Sequence, residues 1–200
     1  NLVMSNIGMV LDMALTQSGL KDVVTIPAGT DWNSELMRIV DVLNTEAFNL
    51  VAYKDGKFDL TGINNLGTII EAVKTITSDD LAIFTNSKLI MSNIDSVLGM
   101  ALAQSGLEGL VTIPAGTDWN SELMNIANVL NTAAFNTLLY KDGKMDFTRV
   151  SNPEILIEAI KTITNNDLAI FTDSNLVMTN VPTVLDMVLT QAGLKDVVTI

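Results

Sequence analysis

The stretch VTIPAGTDWNSELM occurs at residues 24–37 and again, without one substitution, at residues 111–124. Carboxylate and amide oxygens are the ligands that Ca²⁺ prefers in proteins. Each copy places three such side chains at alternate positions: Asp31, Asn33 and Glu35 in the first copy, and Asp118, Asn120 and Glu122 in the second. These residues are the calcium candidates, although an EF-hand loop would also need a glycine and a closing glutamate that the stretch lacks.

The same stretch also has the features of a structural joint. Pro27 and Gly29 fix an abrupt change of chain direction, and Thr30 or Asn33 can cap the helix that follows. Trp32 is the one tryptophan of its copy, and so large a group usually anchors a core or an interface. We therefore predict a joint in both copies, formed by Pro27, Gly29, Thr30, Trp32, Pro114, Gly116, Thr117 and Trp119.

Residues suited to catalysis are scarce. The chain has no histidine and no cysteine, which removes the usual general base near neutral pH, thiol nucleophiles, disulfides and zinc-finger ligands. A serine–lysine pair would have to come from Ser18, Ser34 and Lys54, which nothing in the sequence brings together. We expect neither an enzyme nor a cofactor.

The composition limits the partners. Eleven Lys and Arg against 23 Asp and Glu give a net charge of −12, which repels nucleic acid and anionic lipid surfaces. Hydrophobic residues make up 48%, so the chain must fold and bury much of itself. Its apolar runs are only a few residues long, whereas a membrane span needs about 20. Ten methionines make an adaptable apolar groove for a lipid or a protein partner the alternative to simple core packing.

The whole chain repeats with a period of 87 residues and no gap. Between the first two copies 58 of 87 positions are identical, and 20 of 26 positions in the third fragment match the first. The predicted repeats are 1–87, 88–174 and a truncated third at 175–200. We expect the sequence to be a window of a longer array that continues with Pro-Ala-Gly-Thr-Asp-Trp after Ile200.

The opening of each repeat predicts a helix. Its apolar positions recur at helical spacing, with Asn6 as the expected N-cap and Gly19 as the stop. In the third copy Pro182 would then lie in the first turn, where proline is tolerated. The apolar face consists of Ile7, Val10, Leu11, Ala14 and Leu15.

Further helices follow in each repeat. A second apolar stripe consists of Leu36, Ile39, Val40 and Leu43. Thr45 is the expected cap of a third helix, Asn152 before Pro153 of a fourth, and Ser78 begins a fifth. Residues 53–58 allow two interpretations: a helix running to Gly56, which the preceding helical spacing favours, or an Asp-Gly β-hairpin.

These patterns predict a mainly α fold, in which tandem 87-residue helical repeats with short extended segments stack into an elongated rod or solenoid. We expect a structural role as a stalk, spacer or filament segment, with adjacent repeats of the same chain as the main partners. The alternative is a binding module with one apolar groove per repeat for a lipid or protein partner, and lateral self-association is also open. An acidic, cysteine-free array fits a bacterial cell surface or extracellular location, and a cytoplasmic location is the alternative.

Overall fold

The computed structural model describes residues 2–196, with side chains from residue 6 onward. Residue 1 and residues 197–200, where the predicted repeats begin and end, lie outside the described part. Within it the fold is mainly helical, as predicted. The helices are α1 Leu2–Gln17, α2 Trp32–Leu43, α3 Glu46–Ala52, α4 Leu66–Lys74, α5 Ser78–Asn86, α6 Lys88–Met91, α7 Ile94–Gln104, α8 Trp119–Leu130, α9 Ala133–Leu139, α10 Pro153–Lys161, α11 Asn165–Asp173 and α12 Asn175–Gln191.

The chain forms two compact units, Asn1–Glu108 and Gly109–Ile200. The first unit contains α1–α7 and the second contains α8–α12. From α2 onward the elements come in the same order in both units, with α12 in place of α6 and α7. The division into repeats at residues 87 and 174 stays a prediction, because the starting point of a sequence repeat is arbitrary.

The predicted helix starts are confirmed in several places. Thr45 accepts a hydrogen bond from the N–H of Phe48 and so caps α3. Asn152 caps α10, whose first residue is Pro153. The fifth helix begins at Ser78, and Thr77 caps it in a reciprocal pair with Asp80.

The cap of α2 was predicted wrongly. Asp31, rather than Thr30 or Asn33, accepts the N–H of Asn33 and the hydroxyl of Ser34. Thr30 instead donates its hydroxyl to the carbonyl of Pro27, inside the preceding turn. An aspartate caps as well as a serine and also complements the helix dipole.

The favoured interpretation of residues 53–58 is wrong, and the hairpin is present. Helix α3 ends at Ala52, and strand β1, Tyr53–Lys54, pairs antiparallel with β2, Lys57–Phe58. Asp55 and Gly56 have φ values of 52° and 74°, the left-handed pair that an Asp-Gly turn provides. The rings of Tyr53 and Phe58 meet edge to face with centroids 5.6 Å apart. In the second unit β3, Tyr140–Lys141, and β4, Lys144–Met145, repeat the hairpin.

A 3₁₀ helix that the sequence analysis missed follows each hairpin, at Leu60–Asn64 and Phe147–Ser151. Asp59 and Asp146 cap these turns by accepting the N–H groups of Thr61 and Thr148. Side-chain and backbone hydrogen bonds from Thr61 hold the pKa of Asp59 below its usual value, and Thr148 does the same for Asp146.

The expected N-cap role of Asn6 is wrong, whereas the glycine stop is confirmed. Helix α1 already includes Asn6, and α12 runs through both Asn180 and Pro182. Asn93 does precede α7, but its side chain makes no capping hydrogen bond. At the other end of α1, the N–H of Leu20 reaches the carbonyl of Leu15, as in a Schellman motif with Gly19 at φ 73°.

The core of the first unit lies between α2, α3, α4 and α5. Its buried cluster consists of Val42, Ala47, Ala72, Ile76 and Phe84. The predicted stripe of α2 is rotated slightly, since Val40 is 46% exposed while Val42 is 1% exposed. In the described residues no helix combines the length and apolarity that a membrane crossing requires.

Two glycine-to-alanine changes test the turn and helix assignments. Gly56→Ala should lower the free energy of unfolding by about 1 kcal/mol, because a side chain is strained in the left-handed region. Gly99→Ala should raise it by about 1 kcal/mol, since Gly99 lies inside α7 and an added methyl group meets no atom within 4 Å. Urea unfolding followed by circular dichroism measures both; shifts of the same sign would contradict the assignments.

Candidate functional site

The stretch shared by both copies forms a turn that leads into a helix. Residues 24–27 have no regular secondary structure, and the chain reverses at Ala28-Gly29, where Gly29 has φ 73°. The N–H and the hydroxyl of Thr30 both bond to the carbonyl of Pro27, at 3.3 and 2.6 Å. The turn therefore fixes the direction of α2 relative to residues 24–27.

Glu35, in the first turn of α2, is 1% exposed. Its Oε1 accepts the hydroxyl of Ser87 at 2.5 Å and the N–H of Leu89 at 3.0 Å, and its Oε2 accepts the N–H of Lys88 at 3.4 Å. These donors form the start of α6. We call this arrangement the glutamate clasp: Glu35 with Ser87, Lys88 and Leu89.

The clasp satisfies the free N–H groups at the start of α6. The first N–H groups of a helix have no partner inside it, and a negative charge is favoured at that end. Ser87 bonds in both directions, since its hydroxyl donates to Glu35 and accepts the N–H of Ile90. Burial raises the pKa of Glu35, but hydrogen bonds from Ser87, Leu89 and Lys88 outweigh it, and the net effect is a lowered pKa. Glu35 is therefore a buried carboxylate that stays ionised.

The second unit contains the same clasp. Glu122, 4% exposed, accepts the hydroxyl of Ser174 at 2.5 Å and the N–H groups of Leu176 and Asn175 at 3.0 and 3.1 Å. Both glutamates lie 52 residues before their serines. The two clasps thus follow the sequence period.

A second contact links the same two segments. Asn93, 5% exposed, accepts the N–H of Thr25 at 2.6 Å and donates to the carbonyls of Thr25 and Leu89 at 2.9 and 2.7 Å. We call this contact the asparagine bridge. Asn180 repeats it on Thr112, again over a separation of 68 residues. In each bridge one side-chain amide pairs both backbone groups of a threonine, as a neighbouring strand would.

The tryptophans of the shared stretch occupy different surroundings. Trp32 is half-buried, and the nearest atoms to a methyl group placed on Gly8 of α1 would be those of its indole ring, at 3.8 Å. Trp119 is 5% exposed in the second unit. Both lie at the first position of their helices, directly after the aspartate caps.

The calcium candidates are engaged in contacts of other kinds. The carboxylates of Asp31 and Asp118 cap their own helices, and those of Glu35 and Glu122 belong to the clasps. Hydrogen bonds from Ser34 and Asn33 lower the pKa of Asp31. Over the residues that the structure describes, no three acidic, histidine or cysteine side chains are grouped as a metal site. Calcium binding stays the disfavoured alternative to the joint that the sequence predicts.

The serine–lysine combination is not assembled either. The hydroxyl of Ser18 donates to the carbonyl of Leu15, and that of Ser34 donates to Asp31. Lys54 lies in the hairpin strand β1. Each residue therefore has a local structural role.

An open cavity of about 550 Å³ lies on the second unit. It is lined by Thr137, Arg149, Glu154, Ile155, Ile157 and Glu158. The guanidinium of Arg149 reaches the carbonyl of Thr137 at 2.9 Å, while its Nε is buried without a partner. In the first copy, glycines replace Arg149 and Glu154 as Gly62 and Gly67, so the lining is not repeated.

The shared stretch is visible in the sequence, but its bonding partners are not. Ser87 and Ser174 were not singled out, and neither were Asn93 and Asn180, the counterparts of the expected cap Asn6. The available signal was their identity between copies, which differ at 29 of 87 positions. Comparison of the chain with family models, characterised proteins and solved structures finds no significant match.

Removing the carboxylate of one clasp should destabilise the folded protein. Glu35→Ala should lower the free energy of unfolding by about 3 kcal/mol, because it leaves the hydroxyl of Ser87 and two N–H groups buried without an acceptor. The matched control is Glu46→Ala, an exposed change that the second copy already contains as Ala133 and that should shift stability by less than about 0.5 kcal/mol. Equal losses in urea unfolding would contradict a special role for Glu35.

The clasp also predicts a pH dependence. The pKa of Glu35 is lowered from 4.5, so the stability it contributes is fully present above pH 4.5 and is lost as pH falls through the lower folded value. Glu35→Gln removes this titration. The stability gap between wild type and Glu35→Gln should therefore be largest at neutral pH and should narrow below pH 4.5. Urea midpoints measured across this range test the sign, and a gap that widens on acidification would refute it.

Proposed function

We propose that the chain is a segment of a structural tandem-repeat array, in which residues 24–37 and 111–124 act as the joints. The observation that best supports this proposal is the recurrence of both contacts. The glutamate clasp and the asparagine bridge reappear 87 residues later with the same atoms and nearly the same distances. Each joint holds the beginning of the next repeat.

The distribution of identical residues supports an architectural role. The side chains of both contacts, Glu35, Ser87 and Asn93, are unchanged in the next copy, as is Thr25, whose backbone the bridge holds. In contrast, four of the six cavity-lining positions differ between the copies. A repeated binding site would be expected to keep its lining, whereas an array of supports needs to keep its joints.

The chemistry of the joints also supports a structural role. The buried polar side chains of the joints bond to the chain's own backbone and hydroxyl groups, which gives position and rigidity. Neighbouring repeats that bury groups in this way stabilise one another, as in solenoid proteins. We accordingly propose stacking into an elongated rod that serves as a stalk, spacer or filament, exposed at a bacterial surface or outside the cell.

A binding module for an apolar ligand is the second candidate. The cavity of the second unit supports it, because Ile157 at its rim is 52% exposed. Stoichiometric uptake of a long-chain fatty acid in calorimetry would favour this alternative.

Chains of different repeat number test the array. Proteins that contain two, three and four copies, joined at the 87-residue period, should show a maximum dimension in small-angle X-ray scattering that grows by the same increment for each copy. A compact protein would instead grow in radius roughly as the 0.38 power of its length. A dimension that grows by that power would contradict the rod. A second series, in which Glu35 and its counterparts are changed to alanine, serves as the control for the joints.

A further inference from the structure

Helices α1, α7 and α12 contain the same stretch of the repeat in three copies. Three positions on one face are apolar in every copy. They are Val10, Met13 and Ala14 in α1; Val97, Met100 and Ala101 in α7; and Val184, Met187 and Val188 in α12. In each helix the valine lies three residues before the second position and four before the third, so both are its neighbours on the helix surface.

The three copies differ in exposure. Val10 and Met13 are 60% and 55% exposed, and Ala14 is exposed as well. In α7 the corresponding Ala101 is fully buried, and Val97 and Met100 are half-buried. In α12 Val188 is 6% exposed, and Val184 and Met187 are half-buried. The residue types hardly change, so the neighbouring elements must account for the difference.

Those neighbours are the same in both units. Helix α7 packs on the 3₁₀ helix Leu60–Asn64 and on α4, and α12 packs on the 3₁₀ helix Phe147–Ser151 and on α10. Within the described residues α1 makes its main contacts with α2 instead. A 3₁₀ helix and the helix that follows it therefore pack on each of the two helices in which this face is covered.

We propose that the face of α1 formed by Val10, Met13 and Ala14 is a docking surface for the 3₁₀ helix and the following helix of one further repeat of this same sequence, joined ahead of residue 1. This inference rests on the proposed array and names its contact surface. The occupant is inferred from the two covered copies, in each of which a 3₁₀ helix and the following helix pack on the equivalent helix. The net charge of −12 disfavours an anionic lipid surface as the occupant.

Met9 provides an internal control. It is 66% exposed and neighbours Met13 on α1, but its counterparts Ser96 and Thr183 are polar and exposed. Met9 thus lies outside the face that α7 and α12 bury. Docking of a repeat should cover Met13 and leave Met9 in solvent.

Methionine oxidation distinguishes these positions. The chain is compared with a longer protein in which a copy of residues 1–87 is fused before Asn1, and both are treated with hydrogen peroxide and analysed by peptide mass spectrometry. In the shorter chain Met13 should oxidise as fast as Met9. In the fused protein the oxidation of Met13 should slow severalfold, to the rate of Met100 and Met187, while the oxidation of Met9 should stay fast.

Two outcomes would overturn the proposal. Met13 that stays as reactive as Met9 in the fused protein would show that the added repeat does not cover this face. Met13 that is already slow in the shorter chain, with a concentration dependence, would show that a second molecule covers it. Slow oxidation of Met100 and Met187 verifies that the fused protein is folded. Failure of the rod itself is a separate result, because it is measured by scattering.

A substitution pair gives a second measurement. Met13→Asp should leave the urea midpoint of the shorter chain unchanged but should lower that of the fused protein, because only there does the new carboxylate become buried. Met100→Asp should lower the midpoint in both proteins. Equal effects of Met13→Asp in the two proteins would contradict docking at this face.

Discussion

A carboxylate removed from water must receive hydrogen bonds at both oxygens, and in this chain those bonds come from the beginning of the helix that the carboxylate holds. The cost of burying an unpaired charge is several kcal/mol, so the clasp is either complete or strongly unfavourable. This explains which of its partners can vary. Ser87 contributes its side chain and returns as Ser174, whereas Lys88 contributes only an N–H and becomes Asn175.

The asparagine bridge provides hydrogen-bond partners for the backbone at the other end of the shared stretch. Residues 24–27 have no strand beside them, yet a half-buried segment must still pair its backbone groups. The amide of Asn93 has the donor and acceptor of a peptide group, and it pairs with Thr25 as one residue of a strand would. Together the clasp and the bridge fix two points of the segment from Ser87 to Asn93, which restrains its orientation more than one contact could.

Local patterns predicted most of the α-helices, the Thr45 and Asn152 caps and the Gly19 stop, because each depends on residues within a few positions along the chain. The Asn6 prediction failed because helix α1 already runs through Asn6, and at its counterpart Asn93 the amide that a cap would use bonds to Thr25 instead. At Tyr53 the helical spacing of the preceding residues was overridden by Asp55 and Gly56, which adopt the left-handed conformation of a tight hairpin turn. The shared stretch was predicted to be a joint, but its bonding partners 52 and 68 residues away leave no local signal.

The difference between Arg38 and Asn125 shows where the charge of the clasp is balanced. Arg38 lies 3.5 Å from Glu35 and is 38% exposed, a geometry in which an ion pair contributes little. In the second unit Asn125 replaces it and donates to the carbonyl of Asp173, just before the clasp serine. Glu122 is nevertheless buried like Glu35, and the equivalent groups of the second unit donate hydrogen bonds to it. The backbone N–H groups and the serine hydroxyl, rather than a cation, therefore stabilise the buried charge. The residue at the position of Arg38 can then bond elsewhere, as Asn125 does at the last residue of α11.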